Sequence, residues 1–264
     1  MSVFVSGPSD TFVKRNPEAH PDFFAAEAAG LGWLGETGAP VVRVLGRGPT
    51  YIELERLVAA RPSLSAAERF GRVLAEMHTA GAVGFGAPPV GSDGAPFAGR
   101  LFIGSRPMSS TVHETWGAFY AAERVLPFLR IAVDAGNITH SEASVVESAC
   151  SRVAAGEFDD AEPPSRLHGD LWNGNVFWTE AGVVMIDPAA HGGHRETDLA
   201  MLALFGCPHL EAIVDGYEAS RPLVAGWRER TPLHQLHPLA VHAAGHGRSY
   251  GAALHSAAVA VERL

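Results

Sequence analysis

Apolar residues follow two different patterns along the chain, and the change between them falls near residue 57. Before that point they occur in short runs that are typical of strands. The predicted strands are Val3–Val5, Thr11–Val13, Val41–Leu45 and Tyr51–Leu54. A helix is predicted around Glu27, because apolar residues recur at helical spacing after Pro21, a residue tolerated in a helix's first turn. Residues 1–57 are therefore predicted to form a small β-rich lobe with one helix.

From residue 58 to residue 264 the apolar pattern is mainly helical. One helix is predicted to begin at a capping box, Ser65–Glu68, because apolar residues follow it at i, i+3, i+4 and i+7. Those residues are Phe70, Val73, Leu74 and Met77. Further helices are predicted from about Trp116 to Val133, from about Ser141 to Ala155, and over Leu199–Phe205. Residues 80–110, rich in Gly and Pro, are predicted to form a long surface loop that contributes substrate contacts.

One predicted hairpin interrupts the helical part of the chain. Its strands are Val176–Trp178 and Val183–Ile186, and Thr179–Gly182 forms the turn between them. Such a hairpin folds Asp187 back beside Asn175, so a carboxylate and an amide oxygen are expected at the same end. Asp170, five residues before Asn175, lies on the loop that leads into the hairpin.

These three oxygen-bearing side chains predict phosphoryl transfer. Mg²⁺ is a hard cation that prefers oxygen ligands, so Asn175 and Asp187 are the predicted ligands of a nucleotide-bound Mg²⁺ ion. Asp170 is the predicted base that accepts a proton from the attacking hydroxyl. The layout parallels that of kinases, in which a catalytic Asp, an Asn five residues later and an Asp beyond a hairpin play these roles. Asp and Asn beside Gly are also ordinary turn formers, but their recurrence around two strands favours the functional interpretation.

Lys14 is the single lysine among twenty basic residues, which suggests a position that needs a compact ammonium. A kinase needs such a lysine on a strand to reach the nucleotide phosphates, and it needs a helical glutamate to hold that lysine. Glu27 falls on the apolar face of its predicted helix, where a carboxylate is costly unless a cation meets it. A surface lysine and a half-exposed glutamate are the structural alternative. At the junction of the lobes, the backbone groups of Glu55, Arg56 and Leu57 are expected to meet the adenine edge.

A cluster of polar residues follows the hairpin and precedes the helix at Leu199. It comprises His191, His194, Arg195, Glu196 and Asp198. We expect these charged groups near the mouth of the site, where they position substrate or brace the catalytic loop. For Asp198, capping of the following helix is the structural alternative.

Composition and charge narrow the functional classes. The chain has 264 residues, of which 47% are hydrophobic, as expected for a globule of one or two domains. Its formal charge of −9 argues against nucleic acid as a partner. No apolar run long enough to span a membrane and no signal peptide are recognisable, and two cysteines are too few for a disulfide framework. A cytoplasmic protein is the resulting expectation.

Two alternatives of other classes remain open from the residues alone. A metallohydrolase would use transition-metal ligands drawn from His168, Asp170, His191, His194 and Asp198. His242 and His246 also have the spacing of a metal-binding helix, but Ala243 replaces the glutamate of the protease motif. A non-catalytic nucleotide-binding regulatory protein is the other alternative. Gly46-Arg47-Gly48 lacks the third glycine and the helix of a dinucleotide site.

Several segments of the chain closely resemble the fructosamine kinase (ketosamine 3-kinase) family, within the aminoglycoside phosphotransferase-like kinases. They are His168–Asn175, Ile186–Pro188, His191–Met201, Phe12–Lys14, Phe24–Leu31, and Trp116–Tyr120 with Arg124. The resemblance implies an α+β, protein-kinase-like fold with two lobes, a small, truncated β-rich lobe (1–57) and a larger, mainly helical one (58–264). Another small-molecule kinase of the same superfamily is the nearest alternative.

The resemblance also implies a reaction, which is ATP-dependent phosphorylation of the 3-hydroxyl of a ketosamine such as fructosamine or ribulosamine. Its partners would be a small sugar amine or a glycated protein, in protein deglycation or the processing of glycated metabolites. By position, Asp170 would be the base, Asn175 and Asp187 the Mg²⁺ ligands, Lys14 the phosphate contact and Glu27 its partner. Trp172 is expected to face the sugar, with packing as its alternative role, and Trp116 is a further candidate for substrate contact.

One feature departs from the family pattern. The family has a glycine-containing segment before the lysine strand, which folds over the phosphates, whereas here Ser6-Gly7-Pro8 is a poor substitute. Two expectations follow as alternatives. Either the phosphates are less covered and ATP binds more weakly, or the true start of the protein lies upstream.

Overall fold

The computed structural model describes residues 3–6 and 10–264. The strands are β1 (Val3–Ser6), β2 (Thr11–Arg15), β3 (Val44–Gly48), β4 (Tyr51–Glu55), β5 (Leu101–Ile103), β6 (Arg106–Met108), β7 (Ser165–Leu167), β8 (Val176–Thr179), β9 (Gly182–Met185) and β10 (His191–Gly193). The α-helices are α1 (Phe23–Gly35), α2 (Leu64–Thr79), α3 (Trp116–Phe119), α4 (Leu126–Asp134), α5 (His140–Ala154), α6 (Glu196–Leu204), α7 (Leu210–Ser220), α8 (Thr231–His246) and α9 (Arg248–Val261).

The first part of the chain forms an antiparallel four-stranded sheet in the order β1-β2-β4-β3, with α1 packed against it. A small apolar core holds them together, and its buried members are Phe24, Leu31, Val42, Ile52 and Leu54. Lys14 lies on β2, opposite Ile52 of β4. The turn predicted between the first two strands includes residues 7–9, which lie outside the described residues. Most of the Ser6-Gly7-Pro8 segment therefore also lies outside them.

The third predicted strand, Val41–Leu45, is displaced in the structure, where β3 begins at Val44. The reason is that the residues before β3 pair with the central hairpin. Val41 forms an isolated bridge with Met185, and the Val42 amide donates to the Met185 carbonyl at 3.0 Å. The first sheet is thereby connected to β9, the strand that precedes Asp187.

The helix predicted from the Ser65–Glu68 box is α2, but its cap is Ser63, whose hydroxyl accepts from the Ala66 amide. α2 packs closely on α7, because glycines on both helices let the backbones touch. A side chain at Gly71 would collide with the Ile213 carbonyl, and one at Gly216 with the Glu68 carbonyl. The resulting core also contains buried side chains of the β8–β9 hairpin. The helix pair therefore supports the hairpin that carries the predicted site.

Two helical predictions were correct in position but incomplete in detail. The stretch from Trp116 to Val133 consists of α3, a π-helical turn over Tyr120–Val125, and α4. The stretch from Ser141 to Ala155 is α5, which begins with a capping box between Thr139 and Glu142.

The prediction that residues 80–110 form a structureless loop was wrong in part. The segment ends in a short hairpin, β5–β6, which turns at Gly104 with a positive φ of 54°. Leu101 and Ile103 are buried in the larger apolar core together with α4, α5, α8 and α9. Among the described residues, no helix is both long and apolar enough to cross a membrane. The division of the chain at residue 57 stays a prediction.

Candidate active site

The β8–β9 hairpin brings Asn175 and Asp187 together, as its predicted strands required. Val176 pairs with Met185 at its open end, and the Ile186 amide donates to the Asn175 carbonyl at 3.1 Å. The Asn175 side-chain amide also lies 3.4 Å from the Asp187 carbonyl oxygen. The two predicted metal-binding residues are therefore adjacent at the end of one hairpin.

Asp170 lies within hydrogen-bonding distance of the same asparagine. Nδ2 of Asn175 donates to the Asp170 backbone carbonyl at 2.7 Å and to Oδ2 of the Asp170 carboxylate at 3.1 Å. Burial raises the pKa of Asp170 to about 7, with the charges of Asp187 and Asp198 adding to the rise and the Asn175 hydrogen bond opposing it. A carboxyl group with this pKa exchanges its proton near neutral pH.

Asp187 forms an ion pair with Lys14, and the lysine also pairs with Glu27 at 2.8 Å. Burial alone would lower the pKa of Lys14, but the charges of Glu27 and Asp187 outweigh that effect and raise it. Lys14 is therefore a fixed ammonium group. The Asp187 backbone has φ of +55°, a left-handed conformation that Asp tolerates better than most residues.

Glu27 is the most buried of the three residues Lys14, Glu27 and Asp187, with a side chain 11% exposed. Burial raises the pKa of Glu27, and the Lys14 charge opposes the rise. Helix α1 thus presents its carboxylate to the strand lysine, as the position of Glu27 on the helix's apolar face predicted. The surface alternative for this pair is excluded by the contact.

Asp198 braces the catalytic loop. Its carboxylate accepts hydrogen bonds from the backbone amides of His168 at 2.8 Å and Gly169 at 3.0 Å. His78 of α2 lies 3.1 Å from the same carboxylate and 2.8 Å from the Tyr217 hydroxyl. Burial would raise the pKa of Asp198, but these partners hold it below its usual value. Asp198 does not cap α6, which was the alternative role, because its carboxylate binds the amides of the catalytic loop.

His168 connects the catalytic loop to the metal-binding segment. Its Nδ1 accepts from the Asp170 amide at 3.2 Å, and its Nε2 lies 2.9 Å from the Ile186 carbonyl. Burial lowers the pKa of His168, so the ring stays neutral and donates from Nε2. Asp170 and the residue before Asp187 are thus held by one ring.

Two cavities meet at the ion pair. The first, of about 470 Å³, contains Asp170 and Asn175 in its wall. Its other lining residues include Phe23, Phe102, Ser105, Trp172 and Ala189. The second cavity, of about 430 Å³, is lined by Phe12, Val42, Leu54, Glu55, Arg56, Leu57, Phe177 and Ile186. Lys14 and Asp187 line both. The three predicted hinge residues thus lie around the second cavity, and Trp172, 38% exposed, lies beside the first.

The other predicted substrate residues are not at the mouth of the site, which corrects that expectation. Trp116, His191, His194, Arg195 and Glu196 are all buried, and none lines either cavity. Their charges are balanced by partners that lie far away in the sequence: Arg195 pairs with Glu162 at 2.5 Å, and Glu196 with Arg230 at 2.5 Å. This burial argues against direct contact with substrate.

One group of donors inside this buried network has the spacing of a metal site. His194, Glu196 and His234 place one donor atom each within 4.8 Å of one another. Arg230 donates to both Glu196 oxygens, at 2.5 and 3.0 Å, and the two histidine rings are stacked 4.8 Å apart. A cation would have to displace the guanidinium, so we interpret the group as an internal ion-pair network. The ligand set of the hydrolase alternative does not converge among the described residues.

The comparisons with known proteins decide the family. The fructosamine kinase family matches residues 2–262. This chain belongs to the fructosamine kinase family. A relative from Enterococcus faecium named "Probable ketoamine kinase" is 30% identical over 250 residues, which cover 91% of this chain and 83% of that protein.

Solved structures agree with this membership. A Thermobifida fusca protein, named provisionally as a fructosamine-3-kinase, is 43% identical with a TM-score of 0.89, covering 100% of this chain and 94% of that one. A thermostable mutant of aminoglycoside phosphotransferase APH(4)-Ia is 16% identical with a TM-score of 0.64, covering 100% and 94%, and shares the fold. The protein is therefore a phosphotransferase acting on a hydroxyl group, with the predicted kinase-like fold. Kinases use ATP and in general a divalent metal.

Proposed function

We propose that this chain transfers the γ-phosphoryl group of ATP to the 3-hydroxyl of a ketosamine, such as a fructosamine or ribulosamine, with Mg²⁺ as the metal. The observation that carries the proposal is the meeting of two cavities at Lys14 and Asp187, with Asp170 in the wall of only one. A transfer between two bound molecules needs this division into a donor side and an acceptor side. The ketoamine kinase name of the relatives supplies the substrate class.

The second cavity suits the nucleotide. Most of its lining is apolar, contributed by the first sheet and by the hairpin residues Phe177 and Ile186, and a flat base is stabilised between such walls. Glu55, Arg56 and Leu57 lie at its edge. The amides of Glu55 and Arg56 already donate to the Arg43 and Asp10 carbonyls at 2.9 and 3.0 Å, so the Leu57 amide is the donor of this segment that we expect to meet the adenine edge. Lys14, at the junction of the cavities, lies where the phosphates of a bound nucleotide would end, and its ammonium would steady them.

The residues at the junction fit a hard divalent cation. The Asn175 amide nitrogen is committed to Asp170, which leaves its oxygen available as a ligand. The Asp187 side chain is 44% exposed, and only one of its oxygens is committed to Lys14. Carboxylate and amide oxygens are ligands that Mg²⁺ prefers. Asn175 and Asp187 would hold the ion, which would neutralise charge on the transferred phosphoryl group.

Asp170 would receive the proton of the sugar hydroxyl. As the hydroxyl oxygen bonds to the γ-phosphorus and the bond to the ADP oxygen breaks, the hydroxyl proton passes to the Asp170 carboxylate. A carboxylate whose pKa is about 7 accepts that proton readily near neutral pH. Asn175 holds the carboxylate in place from one side.

A substrate screen tests this function. The chain is incubated with Mg²⁺ and ATP and with four acceptors in turn: a free fructosamine, a free ribulosamine, a glycated protein and an aminoglycoside. Release of ADP is followed. We expect ADP release with the ketosamines and none with the aminoglycoside. Turnover of the aminoglycoside alone would contradict the proposal, and inactivity with all four despite ATP binding would favour the regulatory alternative.

A further inference from the structure

A series of aromatic rings begins at the first cavity, which has Asp170 in its wall and is the proposed acceptor side. Trp172, which lines that cavity, meets Phe205 edge to face with ring centroids 6.1 Å apart. Phe205 follows the last residue of α6 and lies 4.8 Å from the ring of His242 on α8. The surface next to the cavity is therefore aromatic.

The ring contacts extend onto α9. His242 lies 5.0 Å from Tyr250 and 5.2 Å from His246, and the last two rings are 6.1 Å apart. We call Phe205, His242, His246 and Tyr250 the aromatic strip. Its members come from the end of α6 and from the junction between α8 and α9, so a single continuous surface is built from three helices.

The aromatic strip is open to solvent. His246 is exposed, and the other three rings are half-buried. Burial lowers the pKa of His242, whose Nδ1 also bonds the Pro238 carbonyl. Among the described residues, no carboxylate forms an ion pair or hydrogen bond with any ring of the strip.

Core packing accounts for only part of the strip. Tyr250 packs against the larger apolar core, but Phe205 belongs to none of the three apolar core clusters among the described residues. The half-buried Phe205 ring contacts Trp172 of the cavity and lies against the His242 ring at an interplanar angle of 47°, so it is suited to contact with a ligand that leaves the cavity.

We propose that the aromatic strip binds the group attached to the acceptor's nitrogen, and that it selects an uncharged, flat, apolar substituent such as a benzyl group. This inference rests on the proposed function. In a ketosamine the nitrogen is on carbon 1 and the accepting hydroxyl on carbon 3. With the hydroxyl at Asp170 and the sugar beside Trp172, the substituent on nitrogen leaves the cavity past Trp172 and reaches Phe205.

Two substrates that differ by one ring test the inference. They are the fructosamines of benzylamine and of methylamine, and initial rates with Mg-ATP give KM and kcat for each. We expect KM for the benzyl compound to be about 10-fold lower than for the methyl compound, the size of one or two added ring contacts. We expect kcat to be similar, because the strip is remote from the transferred group.

Variants assign that preference to the strip. Phe205→Ala and Tyr250→Leu should each raise KM for the benzyl compound by about 3- to 10-fold and leave KM for the methyl compound within about 2-fold. His255→Ala is the matched control, because His255 lies on α9 outside the strip. It should leave both KM values unchanged. Circular dichroism and thermal unfolding of each variant establish that it is folded.

The outcomes separate the two claims. Equal KM values for both compounds in the natural sequence, or equal increases for both in the strip variants, would overturn the inference while the proposed function stands. If the enzyme phosphorylates neither compound, the proposed function fails, and this inference fails with it.

Discussion

Lys14 and Asp187 are 173 positions apart in the chain, yet their side chains form an ion pair at the junction of the two cavities. The pair connects β2 of the first sheet to the segment after β9. Glu27 holds the lysine from the other side. Because Asp187 is also the predicted metal ligand, this contact couples the position of Lys14 to whatever cation the carboxylate binds.

The Lys14–Glu27 pair can be tested through amine reactivity, since Lys14 is the single lysine of the sequence. Glu27→Gln removes a charge that raises the Lys14 pKa, so more of the amine is neutral at a given pH. We expect faster labelling of Lys14 in the variant, measured by peptide mass spectrometry against the N-terminal amine as internal reference. We also expect Mg-ATP to slow the labelling. Unchanged rates in both comparisons would place Lys14 outside the nucleotide site.

Asp187→Asn tests the metal site without straining the backbone, because Asn also tolerates the left-handed conformation at this position. In the natural sequence we expect Mg²⁺ to strengthen ATP binding by about 10-fold or more, as measured by calorimetry with and without the ion. In the variant that gain should be largely lost. A variant with the full Mg²⁺ dependence would show that other groups hold the ion.

Asp170→Asn should stabilise the fold in a pH-dependent manner. The carboxyl has a pKa of about 7 when folded and 3.8 in the reference state, so the folded protein binds this proton more tightly. The natural protein therefore loses stability as pH rises from about 4 to 7. We expect the variant to gain about 2 kcal/mol in unfolding free energy at pH 8 and little at pH 4, after allowance for solvent screening. Denaturant unfolding at both pH values measures this, and an equal difference at both would contradict the assigned pKa.

Asp198→Asn should loosen the catalytic loop. The amide group has one acceptor oxygen where the carboxylate serves two backbone amides and a histidine. We expect a loss of about 3 kcal/mol in unfolding free energy together with a fall in kcat. Asp215→Asn on the exposed face of α7 is the control and should change neither quantity. A variant as stable and active as the control would remove the bracing role.

The local parts of the site were predictable from sequence, whereas its long-range partners were not. The hairpin follows from two apolar runs and a short turn, and its geometry alone brings Asn175 and Asp187 together. The charge of Glu27 on an apolar helix face pointed to a buried cation, and one lysine was available.

The role of Asp198 was not predictable from local pattern. Its acceptor role depends on backbone amides 29 and 30 positions earlier and on His78 from a different helix, 120 positions away. Partners distant in the sequence also explain why the prediction that Arg195 and Glu196 lie near the mouth of the site was wrong. Clustered charges normally indicate a solvated surface, but here Glu162 and Arg230 balance them inside the protein. No nearby residue reveals such partners.

In the proposed reaction, the chain phosphorylates a ketosamine at its 3-hydroxyl with Asp170 as the base. Two-dimensional ¹H–³¹P correlation spectra of the product, from reactions with a fructosamine and Mg-ATP, test it most directly. We expect coupling of a single new phosphorus to the proton on carbon 3, and a rate at least about 100-fold lower for the folded Asp170→Asn variant. A phosphorus coupled to another carbon's proton, or a variant that retains a third of the natural rate, would contradict it.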